Sequence, residues 1–232
     1  MRLFAVVFAI LALAGAAHAE TYYTDIGDSR INLEVPDGYC ALTGESENES
    51  ALMEMMAAAT TDGATFEIVF ADCVELGEWS QGQRPGVDEI AYIASVDEAL
   101  FAGFSGDQDD FNRGMDAKLS QIPESELGRL LGDSTGRSQA ILDRMELDVQ
   151  LERTVSLGYL GYDSSAIYFG VMQKMSFGEG TEKTIAGVYS MITIQGKFLV
   201  LYLWGDYSGD AGQIDELLET VKWFSGLQHQ VN

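Results

Sequence analysis

The chain is 232 residues long, 47% hydrophobic and 22% charged, which is the composition of a globular protein able to bury a core. Its 37 acidic residues face only 13 basic ones, a formal charge of −24. That balance argues against nucleic acid and anionic membrane surfaces as partners, because both are held through basic side chains.

The chain opens with Met1 and Arg2, continues through an apolar run from Leu3 to Ala14, and reaches Ala17, His18 and Ala19 ahead of Glu20. A positive start, an apolar centre and an A-x-A exit form a secretory signal, with cleavage expected after Ala19. The run is shorter than the roughly 20 residues of a membrane span, and no cysteine stands at the exit to carry a lipid. The expected mature protein, residues 20–232, has 12 basic and 37 acidic residues. It is expected in the periplasm or secreted, as one α+β domain.

Ser29 to Val35 predicts a strand, stopped by Pro36, Asp37 and Gly38. Ser46 and Glu49 have capping-box spacing, and Leu52, Met53, Met56 and Ala59 then recur with a helical period. Methionines on such a face fill cores more often than they bind metal. Phe66, Ile68 and Phe70 put a strand over residues 65–74. Strand, helix and strand make a β-α-β unit whose two strands would run parallel. Residues 77–86 have the character of a loop, and Ile90 to Val96 that of a strand. Residues 97–146 carry several helix starts, weakened by Gly114, Gly128, Gly132 and Gly136, and are expected to form a helical insertion beside the sheet. From Leu147 to Tyr159 the hydrophobic period is two. Further strands are expected over 166–175, 184–194 and 198–204, joined by short turns into an antiparallel meander. Ile214, Leu217, Leu218, Val221 and Phe224 mark a closing amphipathic helix. The expected fold class is α+β: an antiparallel meander sheet with an N-terminal β-α-β unit, a central helical insertion, and a C-terminal helix packed on the sheet.

Cys40 and Cys73 are the only cysteines. Without C-x-x-C spacing or a nearby histidine they suit a structural disulfide in an oxidising compartment better than a redox or metal site. The run from Ile31 to Tyr39 resembles the strand-Pro-x-Gly-aromatic opening of PsbP-like α/β/α sandwich proteins. The hairpin over 185–204, followed by a helix to Leu227, is similar to their final sheet and helix. The resemblance implies an exported assembly or binding module without a catalytic site, and it carries over no functional residue.

Catalytic signals are sparse. His229 is the one histidine of the expected mature chain and stands near its end, where a frayed tail is expected, which leaves little room for histidine-based triads or metal sites. Gly132 to Gly136 matches G-x-S-x-G, but it sits where helices are expected rather than after a strand. Asp107, Asp109 and Asp110 begin like an EF-hand loop and then meet Asn112 and Lys118. Asp206, Ser208 and Asp210 begin another that fails at Ala211 and Leu217. No phosphate-binding or dinucleotide glycine loop is present. Asn48, Glu49 and Ser50 fit a glycosylation acceptor at a helix start. No catalytic residue, metal or cofactor is expected. Of the meander's aromatic residues, Tyr159, Tyr168, Tyr189 and Tyr202 suit core or ligand face, while Tyr162, Trp204 and Tyr207 near turns are the candidate ligand surface. The expected function is a non-catalytic binding or assembly module for an unknown protein or small ligand. The alternative is a hydrolase or calcium-dependent enzyme that uses carboxylates.

Overall fold

The computed structural model describes residues 20–59, 63–97, 101, 107–119, 136, 139–140, 142–143, 149–177 and 181–232. Residues 1–19, where a secretory leader is expected, and most of the G-x-S-x-G stretch lie outside the described residues, and Gly136 of that stretch is helical. Among the described residues no helix is long and apolar enough to cross a membrane.

The described residues begin with a hairpin, of which sequence patterning predicts only the second strand. β1 (Glu20–Ile26) pairs antiparallel with β2 (Ser29–Val35), leaving a two-residue loop. A turn closed by the Tyr39 N–H on the Pro36 carbonyl leads to β3 (Tyr39–Ala41). Then follow α1 (Glu47–Ala59), β4 (Ala64–Asp72), α2 (Cys73–Ser80), β5 (Glu89–Val96) and α3 (Gln108–Leu119). The meander comprises β6 (Val149–Tyr162), β7 (Ile167–Phe177), β8 (Thr181–Ile194) and β9 (Lys197–Asp206), and α4 (Gly212–Gln230) follows it.

Seven strands form one antiparallel sheet in the order β3-β4-β5-β9-β8-β7-β6. The architecture is α+β, with the expected meander and closing helix. The expected parallel pair is not formed. β2 belongs to the separate hairpin, and the strand before α1 is β3, which runs antiparallel to β4. The Pro36–Tyr39 turn redirects the chain before it can join the large sheet as a parallel neighbour. Nor does the strand reach residue 74. The Asp72 carboxylate accepts the N–H groups of Val74 and Glu75 and starts α2 there, so residues 77–80 are helical rather than loop.

Alternation sends successive side chains to opposite faces of the sheet. On one face Ile68, Phe70, Ile93, Val188, Leu199, Leu201 and Leu203 meet Leu217, Val221 and Phe224 of α4 and Ile31, Leu33 and Val35 of β2. The other face is covered in two places. α1 and α2 pack on Val69 and Ala71 at one end, and α3 brings Phe111 onto Ile167, Phe169 and Phe198 at the other. Gln195 and Gly196 both adopt positive φ, 51° and 78°, the combination a two-residue hairpin loop needs between right-twisted strands. Asp28 of the first hairpin's loop pairs with Lys197 beside this one at 3.1 Å, tying the two hairpins together.

Cys40 and Cys73 form a disulfide that pins the edge strand β3 to the start of α2. The chain end is not frayed. α4 continues to Gln230, the His229 Nε2 lies 2.8 Å from the Ser165 carbonyl, and Asn232 bonds the backbone of Asn32.

Candidate binding face

The face partly covered by α1, α2 and α3 carries a row of aromatic rings across neighbouring strands. Register places Tyr92 of β5 opposite Tyr202 of β9, Tyr202 opposite Tyr189 of β8, Tyr189 opposite Phe169 of β7, and Phe169 opposite Tyr159 of β6. Ring centroids along the row are 4.4, 5.4, 5.0 and 6.0 Å apart, and the first three pairs are stacked. Phe66 extends the row towards β4 at 6.2 Å from Tyr92. Cross-strand aromatic pairs each stabilise a sheet by up to about 1 kcal/mol. The row therefore holds the sheet together and also offers π-surface. It ends on edge strand β6, where Tyr159 is 37% and Tyr162 50% exposed.

Trp204 lies in the next row, opposite Ile90 and Gly187. Its ring occupies the space above Gly187, and it hydrogen-bonds the Tyr92 hydroxyl. Tyr162, Trp204 and Tyr207 do not share one patch. Tyr162 is on β6, Trp204 is three strands away on β9, and Tyr207 packs against the core under α4. Tyr168 is buried on the α4 side, where its hydroxyl donates to both Asp163 oxygens at 2.8 and 2.9 Å. Tyr92 and Phe169 are the row members that sequence patterning had not singled out. Tyr92 is the one aromatic of β5 and Phe169 stands next to Tyr168 in β7, and only the register aligns them with the row.

Burial pushes the Tyr202 hydroxyl up to about 12 and raises Tyr189 and Tyr92 as well, the neighbouring Tyr202 adding to both. Tyr159 is pushed up to about 12 by burial and by its bond to Asp116 of α3. These phenols stay neutral at physiological pH, able to stack and to hydrogen-bond.

The acidic clusters are used in the folding of their own segments. Asp107 accepts the Asp110 N–H at 3.0 Å and begins α3. Asn112, at the position an EF-hand loop would give to glycine, is fully buried. It accepts from Gln108 and donates to the Asp163 carbonyl, both at 2.7 Å. Gln108 in turn accepts the Thr193 N–H at 2.6 Å, so this stretch docks α3 on β8. Asp206 pairs with Lys183 and Asp210 accepts the Gly212 N–H, the approach to α4. Among the described residues no group of three or more His, Cys, Asp or Glu side chains is arranged to hold a metal ion.

The buried acids of the described residues are Glu34 and Glu49. Glu34 accepts from Thr21 at 2.6 Å. Glu49 accepts from the Thr43 and Gly44 N–H groups and from the Thr43, Ser46 and Ser80 hydroxyls. Burial alone would raise its carboxyl, but the bonds from Ser80, Thr43, Gly44 and Ser46 outweigh burial and leave it below the usual glutamate value.

No family model matches the chain, and no curated protein matches it. Among solved structures, cyanobacterial PsbP (CyanoP) from Synechocystis is similar with a TM-score of 0.37 and 14% identity, over 92% of this chain and 95% of that one. The Ran-binding protein Mog1p of Saccharomyces cerevisiae is similar with a TM-score of 0.29 and 9% identity, over 86% of this chain and 85% of that one. The structural resemblance to PsbP is weak, and at these scores neither neighbour fixes a function for the chain.

Proposed function

We propose that the chain is an exported binding or assembly module that acts without catalysis. The observation that carries this reading is the aromatic row, which runs across the sheet and emerges at Tyr159 and Tyr162 on an edge strand. Tyrosine gives large contact area at small entropic cost and a hydroxyl for orientation, which suits it to anchoring a partner. The buried carboxylates support the same reading, since their donors come from within the fold rather than from an opposing acid. The leader and the disulfide support an exported site of action. N-terminal sequencing of the exported protein should begin at Glu20.

The test is crosslinking in the native periplasm with the wild-type chain and with Tyr159→Ala and Tyr162→Ala variants. A reproducible partner that the variants lose supports the proposal. No partner, together with turnover on a hydrolase substrate panel or calcium-dependent activity, would overturn it in favour of a carboxylate enzyme.

A further inference from the structure

Strand edges invite pairing with other chains, and folded proteins usually blunt them. In this molecule that is done at three edges by three devices. β3 is only three residues long and is clamped by the disulfide. β6 is interrupted by three register irregularities, and Gln139 caps its beginning, accepting the Leu151 N–H at 2.6 Å and donating to the Val149 carbonyl at 3.1 Å. β2 is closed by α4. The buried Gln228 amide accepts the Glu34 N–H and donates to the Glu34 carbonyl, both at 2.9 Å, and Asn232 does the same for Asn32 at 2.9 and 2.8 Å.

Among the described residues the outer edge of β1 has no such device. Because Asn32 and Glu34 turn their backbone groups to α4, the ladder to β1 runs through the alternate residues, and the backbone groups of Thr21, Tyr23 and Asp25 face outward. Among the described residues nothing bonds those groups. The strand is nonetheless rigidly seated. Thr24 donates to Glu67 at 2.6 Å, Tyr22 and Ile26 pack on the core, and Asp28 pairs with Lys197. Tyr23 is 65% exposed and is held by Arg30, whose guanidinium carbon lies 4.0 Å above its ring.

We infer that β1 is a docking edge that accepts an extended, cationic segment of another protein by strand addition. The inference rests on the reading of the chain as a binding module and gives that module a surface and a partner class. A preformed edge supplies main-chain bonds without the cost of ordering it first. Charge selects the occupant. Residues 20–35 contain four acidic residues and one basic, within a chain of −24. A second copy would bring like charge to the edge, whereas lysines or arginines on a partner strand meet Glu20 and, in competition with Arg30 at 3.5 Å, the exposed Asp25.

The probe is a capped nine-residue peptide of alternating lysine and valine, added to the mature chain. Hydrogen exchange should slow at least tenfold at the Thr21, Tyr23 and Asp25 amides on peptide addition, with little change at Tyr22 and Thr24, which already bond β2. The same peptide with every amide N-methylated keeps its charge but loses its donors, and should bind at least tenfold more weakly. Tyr23→Pro, which removes an outward N–H and spares the β1–β2 ladder, should weaken binding similarly. Equal binding of the methylated peptide would mean adsorption by charge alone and overturn the inference. Protection of the Tyr23 amide that rises with protein concentration in the absence of peptide would assign the edge to a second copy and overturn it too. If the peptide gives no protection while native crosslinking still recovers a partner, the edge proposal fails and the binding-module reading stands.

Discussion

At the scale of single residues, two positions show how closely the candidate face and its supports are fitted. A Cβ built on Gly187 would lie 2.6 Å from the Trp204 ring, and the nearest ring atoms beyond it are at 2.8 and 2.9 Å. A tryptophan ring bound to Tyr92 cannot swing away like the tip of a lysine. Gly187→Ala should therefore cost about 1–3 kcal/mol through overpacking and displace the indole, read as lost urea resistance and altered near-ultraviolet circular dichroism. Adding Trp204→Leu should recover most of the loss. If the double variant is no more stable than the single one, the Gly187–Trp204 approach is not the cause. Glu49 presents a second case. Its spacing from Ser46 announces a helix start in the sequence, and Ser46 does accept the Glu49 N–H at 3.2 Å. The remaining donors, from Thr43, Gly44 and Ser80, come from a loop and a second helix and leave no periodic signal. Glu49→Gln removes the charge from these bonds and should destabilise the fold by about 1.5–3 kcal/mol at neutral pH. The native carboxyl titrates below the ordinary value of 4.5, so its stabilisation is complete above that value and is withdrawn as pH falls through the native one. The gap between wild type and variant in urea unfolding should thus narrow from pH 6 to pH 3. A gap independent of pH would count against the charge as the source of the stabilisation.

At the scale of elements, side-chain amides perform work that sequence patterns assign to strands. Gln228 is fully buried one helical turn from Asn232, and the two side chains pair with Asn32 and Glu34 along β2. The polar pattern near the C-terminus therefore suggests a frayed tail, when those polar groups are what close the hairpin's edge. Gln228→Met keeps the volume and removes both bonds to Glu34. Each buried backbone group left unpaired should cost about 1–3 kcal/mol. Exchange at the Glu34 amide should accelerate, while exchange in β8 should follow global stability only. If the Glu34 amide exchanges as slowly as before, the amide is not holding that edge. The elements most legible in the sequence share one property: each is a long apolar run or repeat bounded by turn residues. β7, β8 and β9 are apolar-rich runs of ten or more residues and α4 repeats at a helical period, and the short turns between the strands force antiparallel neighbours. The strand-helix-strand order is present as β3, α1 and β4, but the expected parallel direction is not, because local pattern says nothing of pairing. Residues 29–35 look the same whether they join the large sheet or a hairpin, and the choice is made by β1 and the turn at Pro36. The aromatic row was half legible for the same reason, as Tyr159, Tyr189 and Tyr202 stand out in sequence but their alignment with Tyr92 and Phe169 depends on register.

At the scale of the whole molecule, the acidic excess has to be reconciled with a sheet of seven strands and many local ion pairs. The basic side chains are embedded among acids: Arg84 lies 2.9 Å from both Glu75 and Asp88, and Lys174 bridges Glu152 and Glu182 at 3.0 and 2.9 Å. Pairs of this kind on a surface are worth at most about 1 kcal/mol each and weaken in salt. The unpaired remainder repels itself over longer distances, and the compact state feels that repulsion more than the unfolded chain does. The two effects respond to salt with opposite sign, so a titration decides between them. Between 10 and 150 mM sodium chloride the screening length falls from about 30 to about 8 Å. The first is comparable with seven strands at about 4.8 Å spacing. The second still spans a single ion pair. Long-range repulsion should therefore be lost before the pairs are, and Tm should rise over this interval by about 2–4 °C for each kcal/mol recovered. A Tm that is flat or falls would mean that the pairs around Arg84 and Lys174 outweigh the net charge. The acidic surface would then be a matter of solubility and partner choice, with little bearing on stability. A rise would show that a charge of −24 limits the stability of the fold at low salt.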